Sequence, residues 1–140
     1  MTGNSARLLI LGANGPTGRR TVEQALERGH QVDALTRHPE TFPIRHERLQ
    51  VTAGDATDPS VIDAAVADAD AVICTIGAAF TRQPVKVYST SARLLIAAMD
   101  RYEKRRLIVV TSSGLGPPQQ TGPVGTFFRA LMRDHVGKTV

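Results

Sequence analysis

The run Arg7-Leu-Leu-Ile-Leu11 passes straight into Gly12-Ala-Asn-Gly15-Pro-Thr-Gly18, and a helical pattern begins directly behind it. A short apolar run of this kind is the length of a buried strand. The three glycines do different work. Gly12 permits a tight turn out of the strand, Gly15 lets backbone come close to a bound group, and Gly18 lets the helix pack against the sheet. Pro16 suits a first helical position, where its missing N–H costs little. The helix then presents free amides and the positive end of its dipole toward the loop, an arrangement suited to phosphate. Thr17 can add a hydroxyl donor. The spacing is G-x-x-G-x-x-G rather than G-x-G-x-x-G, and no Gly-Lys-Ser/Thr follows, so this is not a Walker loop. The alternative is a glycine-rich turn that holds no ligand.

The same alternation continues along the chain. Thr17–Arg28 reads as a helix with Val22, Ala25, Leu26 and Gly29 on one face, and Gly29 closes it. Val32–Thr36 and Leu49–Thr52 read as strands. Asp58-Pro59 opens a helix with Asp58 as its cap and Val61, Ile62, Ala65 and Val66 facing inward. Ala71–Ile76 is a fourth strand. Tyr88–Tyr102 is a long helix with Ser91, Leu94, Leu95, Ala98, Met99 and Tyr102 at helical spacing. Leu107–Thr111 is a fifth strand, 112–125 a loop and Thr126–Val136 a last helix. Nearly all-apolar strands separated by helices imply a parallel sheet covered on both faces. The expectation is one α/β domain over residues 1–140, a Rossmann-type doubly wound parallel sheet of order 3-2-1-4-5. Its ligand cleft would lie at the carboxyl ends, between the first and fourth strands.

Composition narrows the function classes. The 140 residues are 41% hydrophobic and 21% charged, the balance of a globular chain. The net charge of +4 and a total of two Tyr, four Phe and no Trp give little basis for stacking on nucleic acid. No apolar run approaches the length of a membrane span, and residues 1–7 lack the pattern of a signal peptide. Cys74 has no partner for a disulfide within the chain, which suits a reducing cytoplasm. His30, His38, His46 and His135 are scattered without ligand spacing, so no metal site is expected. Ser113 lacks the preceding glycine of a hydrolase elbow.

Several motifs together carry a family resemblance along nearly the whole chain. They are Gly12-Ala-Asn-Gly-Pro-Thr-Gly18, Leu35-Thr-Arg37, Ala53-Gly-Asp55, Val72-Ile-Cys-Thr-Ile-Gly77, Ala92-Arg93 to Ala97-Ala-Met99, Thr111-Ser-Ser113 and Asp134-His135. The chain resembles the atypical short-chain dehydrogenase/reductase group, and in particular the NAD(P)H-binding, NmrA-like family that includes flavin reductase. The resemblance implies a dinucleotide cofactor on Gly12, Asn14, Gly15, Pro16, Thr17 and Gly18. It further implies contacts to the adenine from Asp55 and Ala56, and it places Arg93 near the cofactor. It puts Ser112, Ser113 and His135 at the nicotinamide end. Each side chain has a plainer alternative: an Asx cap for Asp55, a surface helix position for Arg93, a strand-end cap for the serines and a dipole-complementing site for His135.

The cofactor form is read from the end of the second strand. An NAD-preferring site places an acid there to accept from the ribose 2′-hydroxyl; this chain has Arg37, a fork of donors suited to a 2′-phosphate. Asp33 stands too early. The expectation is NADP(H), with a solvated surface role as the alternative for Arg37. Ile76-Gly77 lets backbone pass close to the dinucleotide. Alcohol-acting short-chain reductases use Tyr-x-x-x-Lys; here Tyr88 and Tyr102 both precede Ser112-Ser113 and no such motif follows. Flavin reduction needs no such acid, since hydride goes to a ring nitrogen and solvent supplies the proton. The expected activity is therefore hydride transfer from NADPH to a flavin or similar planar acceptor. The alternatives are an NADP(H)-sensing regulator that does not turn the cofactor over, or an inactive truncated reductase. The resembling families continue into a sixth strand. A chain ending at Val140 is therefore expected to be truncated on the substrate side, or to associate with another copy through the flank of its fifth strand.

Overall fold

In the computed structural model, residues 5–78 and 86–110 are described. Over those residues the order is β1 (Arg7–Leu11), α1 (Pro16–Glu27), β2 (Gln31–Thr36), a 3-10 turn (Pro39–Thr41), β3 (Leu49–Ala53), α2 (Pro59–Ala67), β4 (Ala71–Cys74), α3 (Val87–Arg101) and β5 (Leu107–Val109). The strands form one parallel sheet of order β3-β2-β1-β4-β5. This is the doubly wound topology expected from the alternation of apolar runs and helices. Gln31 pairs with Arg7 and Leu35 with Leu11, so β1 and β2 end level, and both deliver their following loops to one edge.

Two strands are shorter than the apolar pattern suggests, and pairing explains both. β4 ends at Cys74 instead of Ile76 because β1 turns away at Gly12, leaving Thr75 as the last residue whose amide reaches β1, donating to the Leu11 carbonyl at 2.9 Å. β5 is assigned to Val109 instead of Thr111; the Val110 amide still donates to the Cys74 carbonyl at 3.0 Å, and Thr111 lies outside the described residues.

Two cores lie on the two faces of the sheet. Leu9, Leu11, Leu35, Val72 and Cys74 pack against Ile62 and Val66 of α2 and Leu95, Ala98 and Met99 of α3. Ile10, Val32 and Ala34 pack against Val22, Ala25 and Leu26 of α1 and against Phe42. Alternate residues of β1 thus enter opposite cores, which is why that strand is apolar throughout. α2 and α3 are also joined at the surface, where Asp63 accepts from Arg101 Nη1 at 2.6 Å and from the Tyr102 hydroxyl at 2.7 Å. That bond to Asp63 raises the Tyr102 phenol above its ordinary range. Among the described residues β5 is an outer strand, with Ile108 and Val109 at least half exposed. No helix of the described residues is long and apolar enough to cross a membrane.

The start of α2 has a pH signature. The Asp58 carboxylate accepts from the Ser60 hydroxyl, the Ser60 amide and the Val61 amide, and these bonds lower its pKa from the ordinary 3.8. A carboxylate depressed on folding stabilises the native state above its unfolded pKa and loses that contribution as pH falls through the folded one. Asp58→Asn is therefore expected to flatten part of the acid limb below about pH 4 in a plot of melting temperature against pH. An unchanged acid limb would show that the cap contributes nothing to it.

Candidate functional site

The loops after β1, β2, β3 and β4 converge at the carboxyl edge of the sheet and enclose a cleft of about 850 Å³. Gly12 leaves β1 at φ +72°, a left-handed conformation that glycine adopts without cost. A Cβ there would stand 2.7 Å from the Ile76 amide nitrogen and 2.8 Å from the Thr75 carbonyl carbon and oxygen. The turn therefore sits directly on the end of β4. The Gly15 amide donates to the Gly12 carbonyl at 3.1 Å, and Thr75 Oγ1 donates to the Leu11 and Gly12 carbonyls at 2.9 and 3.2 Å. The loop is thus held in shape by the protein alone.

Gly15 stands differently. Its φ of −75° and ψ of 167° suit any residue, and a Cβ there would meet only the Gly12 carbonyl oxygen, at 3.4 Å. Neither backbone conformation nor internal packing demands glycine at that position. It lines the cleft, so the close approach of a ligand is the remaining physical reason for it. Gly15 is also the N-cap of α1 and supplies no side-chain acceptor. With Pro16 at the first helical position, the amides of Thr17 and Gly18 begin the helix without a side-chain cap. α2, by contrast, is capped by Asp58. A helix of twelve residues opening uncapped onto a glycine turn is the arrangement that receives a phosphate oxygen.

The other walls carry charge. Arg37 and His38 follow β2, Asp55 and Ala56 follow β3, Ile76, Gly77 and Ala78 follow β4, and Lys86 precedes α3, all lining the cleft. Arg37 is exposed and has no hydrogen-bonded or ionic partner among the described residues. Asp33, the acid of β2, faces Leu9 in the register of the sheet and is held by Arg7, with Arg7 Nε 2.7 Å from its Oδ2. It is thus occupied within the sheet and stands back from the strand's carboxyl end. Asp55 Oδ1 accepts from the Thr57 amide at 2.8 Å and the Thr57 hydroxyl at 2.7 Å. Those bonds, with a smaller contribution from the Arg37 charge, hold its carboxyl below the ordinary 3.8, so it is ionised at neutral pH. The Asx cap is present, and it uses one of the two carboxylate oxygens.

Of the residues singled out in the sequence, Gly12, Asn14, Gly15, Pro16, Thr17, Arg37, Asp55, Ala56, Ile76 and Gly77 are brought together around this cleft. Gly18 is buried beneath the loop. Arg93 is on the exposed side of α3 and is not among the lining residues. Ser112, Ser113 and His135 lie outside the described residues. Sequence reading overlooked Thr75, His38 and Lys86. Thr75 had a usable signal, a single hydroxyl at the end of an otherwise apolar strand. Cys74 beside it is buried, which pushes its thiol pKa up and suits a packing role. No cluster of three or more metal-binding side chains occurs among the described residues.

The parallel order, the cleft at the strand ends and the glycine turn feeding an uncapped helix define a Rossmann-type dinucleotide-binding domain. A family model described as NAD(P)H-binding matches residues 12–138, and the chain belongs to that family. Over 69 residues, 49% of this chain, it is 36% identical to a 3-beta-hydroxysteroid dehydrogenase from Mycolicibacterium neoaurum, of which it covers 19%. Among solved structures, a Rossmann-fold NAD(P)-binding family protein from Shigella flexneri superposes with a TM-score of 0.67 at 24% identity, covering 93% of this chain and 61% of that one. A short-chain dehydrogenase/reductase from Veillonella parvula, in complex with NADP, gives 0.72 at 23% identity, covering 96% and 60%. The chain thus spans about a fifth of that steroid dehydrogenase and about three fifths of those two structures. The structural likenesses establish a shared fold.

Proposed function

We propose that the chain forms the cofactor-binding part of an NADP(H)-dependent oxidoreductase that delivers hydride to a flavin or similar planar acceptor. The observation that carries the NADP(H) reading is Arg37, which lines the cleft after β2 without an ionic partner among the described residues. Asp33, the acid of β2, is paired with Arg7 and stands back from the strand end where an acid would accept from a ribose 2′-hydroxyl. The cofactor's pyrophosphate fits the Gly12–Gly15 turn and the first amides of α1, and the 2′-phosphate fits the guanidinium of Arg37. Asp55, with one oxygen outside its own turn, suits the adenine side. The nicotinamide supplies the hydride. The protein's contribution is to hold the ring close to the acceptor and keep the path short.

Titrating the protein with NADPH and NADH, and repeating both with Arg37→Ala, tests the reading. The substitution is expected to weaken NADPH by about 1–3 kcal/mol and to leave NADH nearly unchanged. Equal weakening of both, or no binding by the unaltered chain, overturns it. The acceptor is tested by following loss of NADPH absorbance with and without FMN. The absence of Tyr-x-x-x-Lys after Ser112-Ser113 also suits a regulator that senses NADP(H) without oxidising it. Such a protein would bind both redox forms and leave NADPH intact when FMN is added.

A further inference from the structure

The Asn14 side chain has four hydrogen-bonding positions, and the protein fills all of them. Its Oδ1 accepts from Arg19 Nε at 3.1 Å and from Arg19 Nη2 at 2.8 Å. Its Nδ2 donates to Thr41 Oγ1 at 2.9 Å and to the His38 carbonyl at 3.4 Å. Thr41 closes the network, its hydroxyl donating to the same His38 carbonyl at 3.0 Å and its amide at 3.2 Å. The amide orientation is unambiguous, because a guanidinium only donates and a carbonyl only accepts. Asn14 therefore lines the cleft with no side-chain donor or acceptor left for a ligand. Arg19, a cation beside the glycine turn, is likewise turned inward onto Asn14.

What the network joins is informative. Asn14 belongs to the phosphate loop after β1. His38 and Thr41 belong to the connection after β2, immediately behind Arg37. These are two separate loops, and the described hydrogen bonds between them run through this one amide. Resting on the NADP(H) reading, we propose that Asn14 is a positioning residue for cofactor selection. Through Thr41 and the His38 carbonyl it sets where Arg37 stands relative to the phosphate loop, and so fixes the distance between the sites for the pyrophosphate and the 2′-phosphate. A dinucleotide lacking the 2′-phosphate makes no use of that distance.

The cleaner probe is Thr41, which does not line the cleft. The full chain carrying Thr41→Val is titrated with NADPH and with NADH, beside Thr41→Ser, Asn14→Ala and Arg37→Ala. Thr41→Val removes the acceptor for Asn14 and the hydroxyl's bond to the His38 carbonyl, leaving the amide's bond in place. It is expected to lower the ratio of NADPH to NADH affinity about fivefold, with NADH itself within about twofold, which also reports that the variant folds. Asn14→Ala is expected to move the ratio in the same direction, and Thr41→Ser to restore it. An unchanged ratio in both Thr41→Val and Asn14→Ala, or equal weakening of the two cofactors, overturns the proposal. If the unaltered chain shows no NADPH preference, the NADP(H) reading and this proposal fall together. If Arg37→Ala abolishes a preference that Thr41→Val and Asn14→Ala retain, this proposal alone falls.

Discussion

Gly18→Ala is expected to destabilise the domain by about 3 kcal/mol and to abolish dinucleotide binding, although the substitution adds one methyl group. The added Cβ would overlap the Gly12 carbonyl oxygen and stand 2.7 and 2.8 Å from Cα and C of Ala13. All three are backbone atoms that cannot rotate aside. The Gly12 carbonyl is also the acceptor for the Gly15 amide and the Thr75 hydroxyl, so moving it opens the phosphate turn and detaches it from β4. Gly15→Ala is the matched control. Its Cβ meets only the Gly12 oxygen at 3.4 Å on a backbone that alanine adopts, so stability is expected to hold while binding falls. Thermal melts with and without NADPH separate the two, with Gly18→Ala melting about 10 °C lower. Equal stability of both variants would show that helix α1 can retreat from the loop and that the close packing is not required.

That contrast shows how the glycine motif was legible and where legibility ended. The roles given to Gly12 and Gly18 follow from the need to turn out of a strand and bring a helix down upon it, and spacing alone conveys that need. The parallel order was equally readable, since central strands such as β1 and β4 are apolar on both faces only if both faces are covered. The two ends of α1 and the start of α2 are legible to within one residue because Pro16, Gly29 and Asp58 mark them chemically. What did not show in the sequence depends on contacts between distant loops. Asn14 looks like a ligand-binding side chain in a glycine loop until Arg19, His38 and Thr41 are seen to fill its four positions. Thr75 looks like one more strand residue until its hydroxyl is found on Gly12. Strand ends are not legible where apolar character outlasts pairing, as at Ile76.

Phe42 is the residue with the least signal and a large expected effect. Between Arg37 and Arg48 there is no helical or alternating pattern, and one aromatic among Pro39, Pro43 and charged residues reads as a surface loop. Yet Phe42 is 1% exposed and is the largest fully buried side chain among the described residues. It follows the 3-10 turn, and its amide donates to the Pro39 carbonyl at 3.2 Å. Its ring enters the core formed by Ile10, Val22, Leu26 and Val32. With no α-helix between β2 and β3, Phe42 covers that part of the sheet and anchors the connection bearing Arg37, His38 and Thr41. Phe42→Ala removes a buried ring from a closed core and is expected to cost about 3–5 kcal/mol, with Phe42→Leu costing less because it refills most of the space. Chemical denaturation measures both. The leucine variant, which is expected to stay folded, carries the functional half of the argument. A loosened anchor lets the connection drift, so its NADPH affinity should fall more than its NADH affinity. An NADPH-to-NADH affinity ratio unchanged from that of the unaltered chain in Phe42→Leu would mean that the Asn14 network holds the connection in place without the full aromatic ring beneath it.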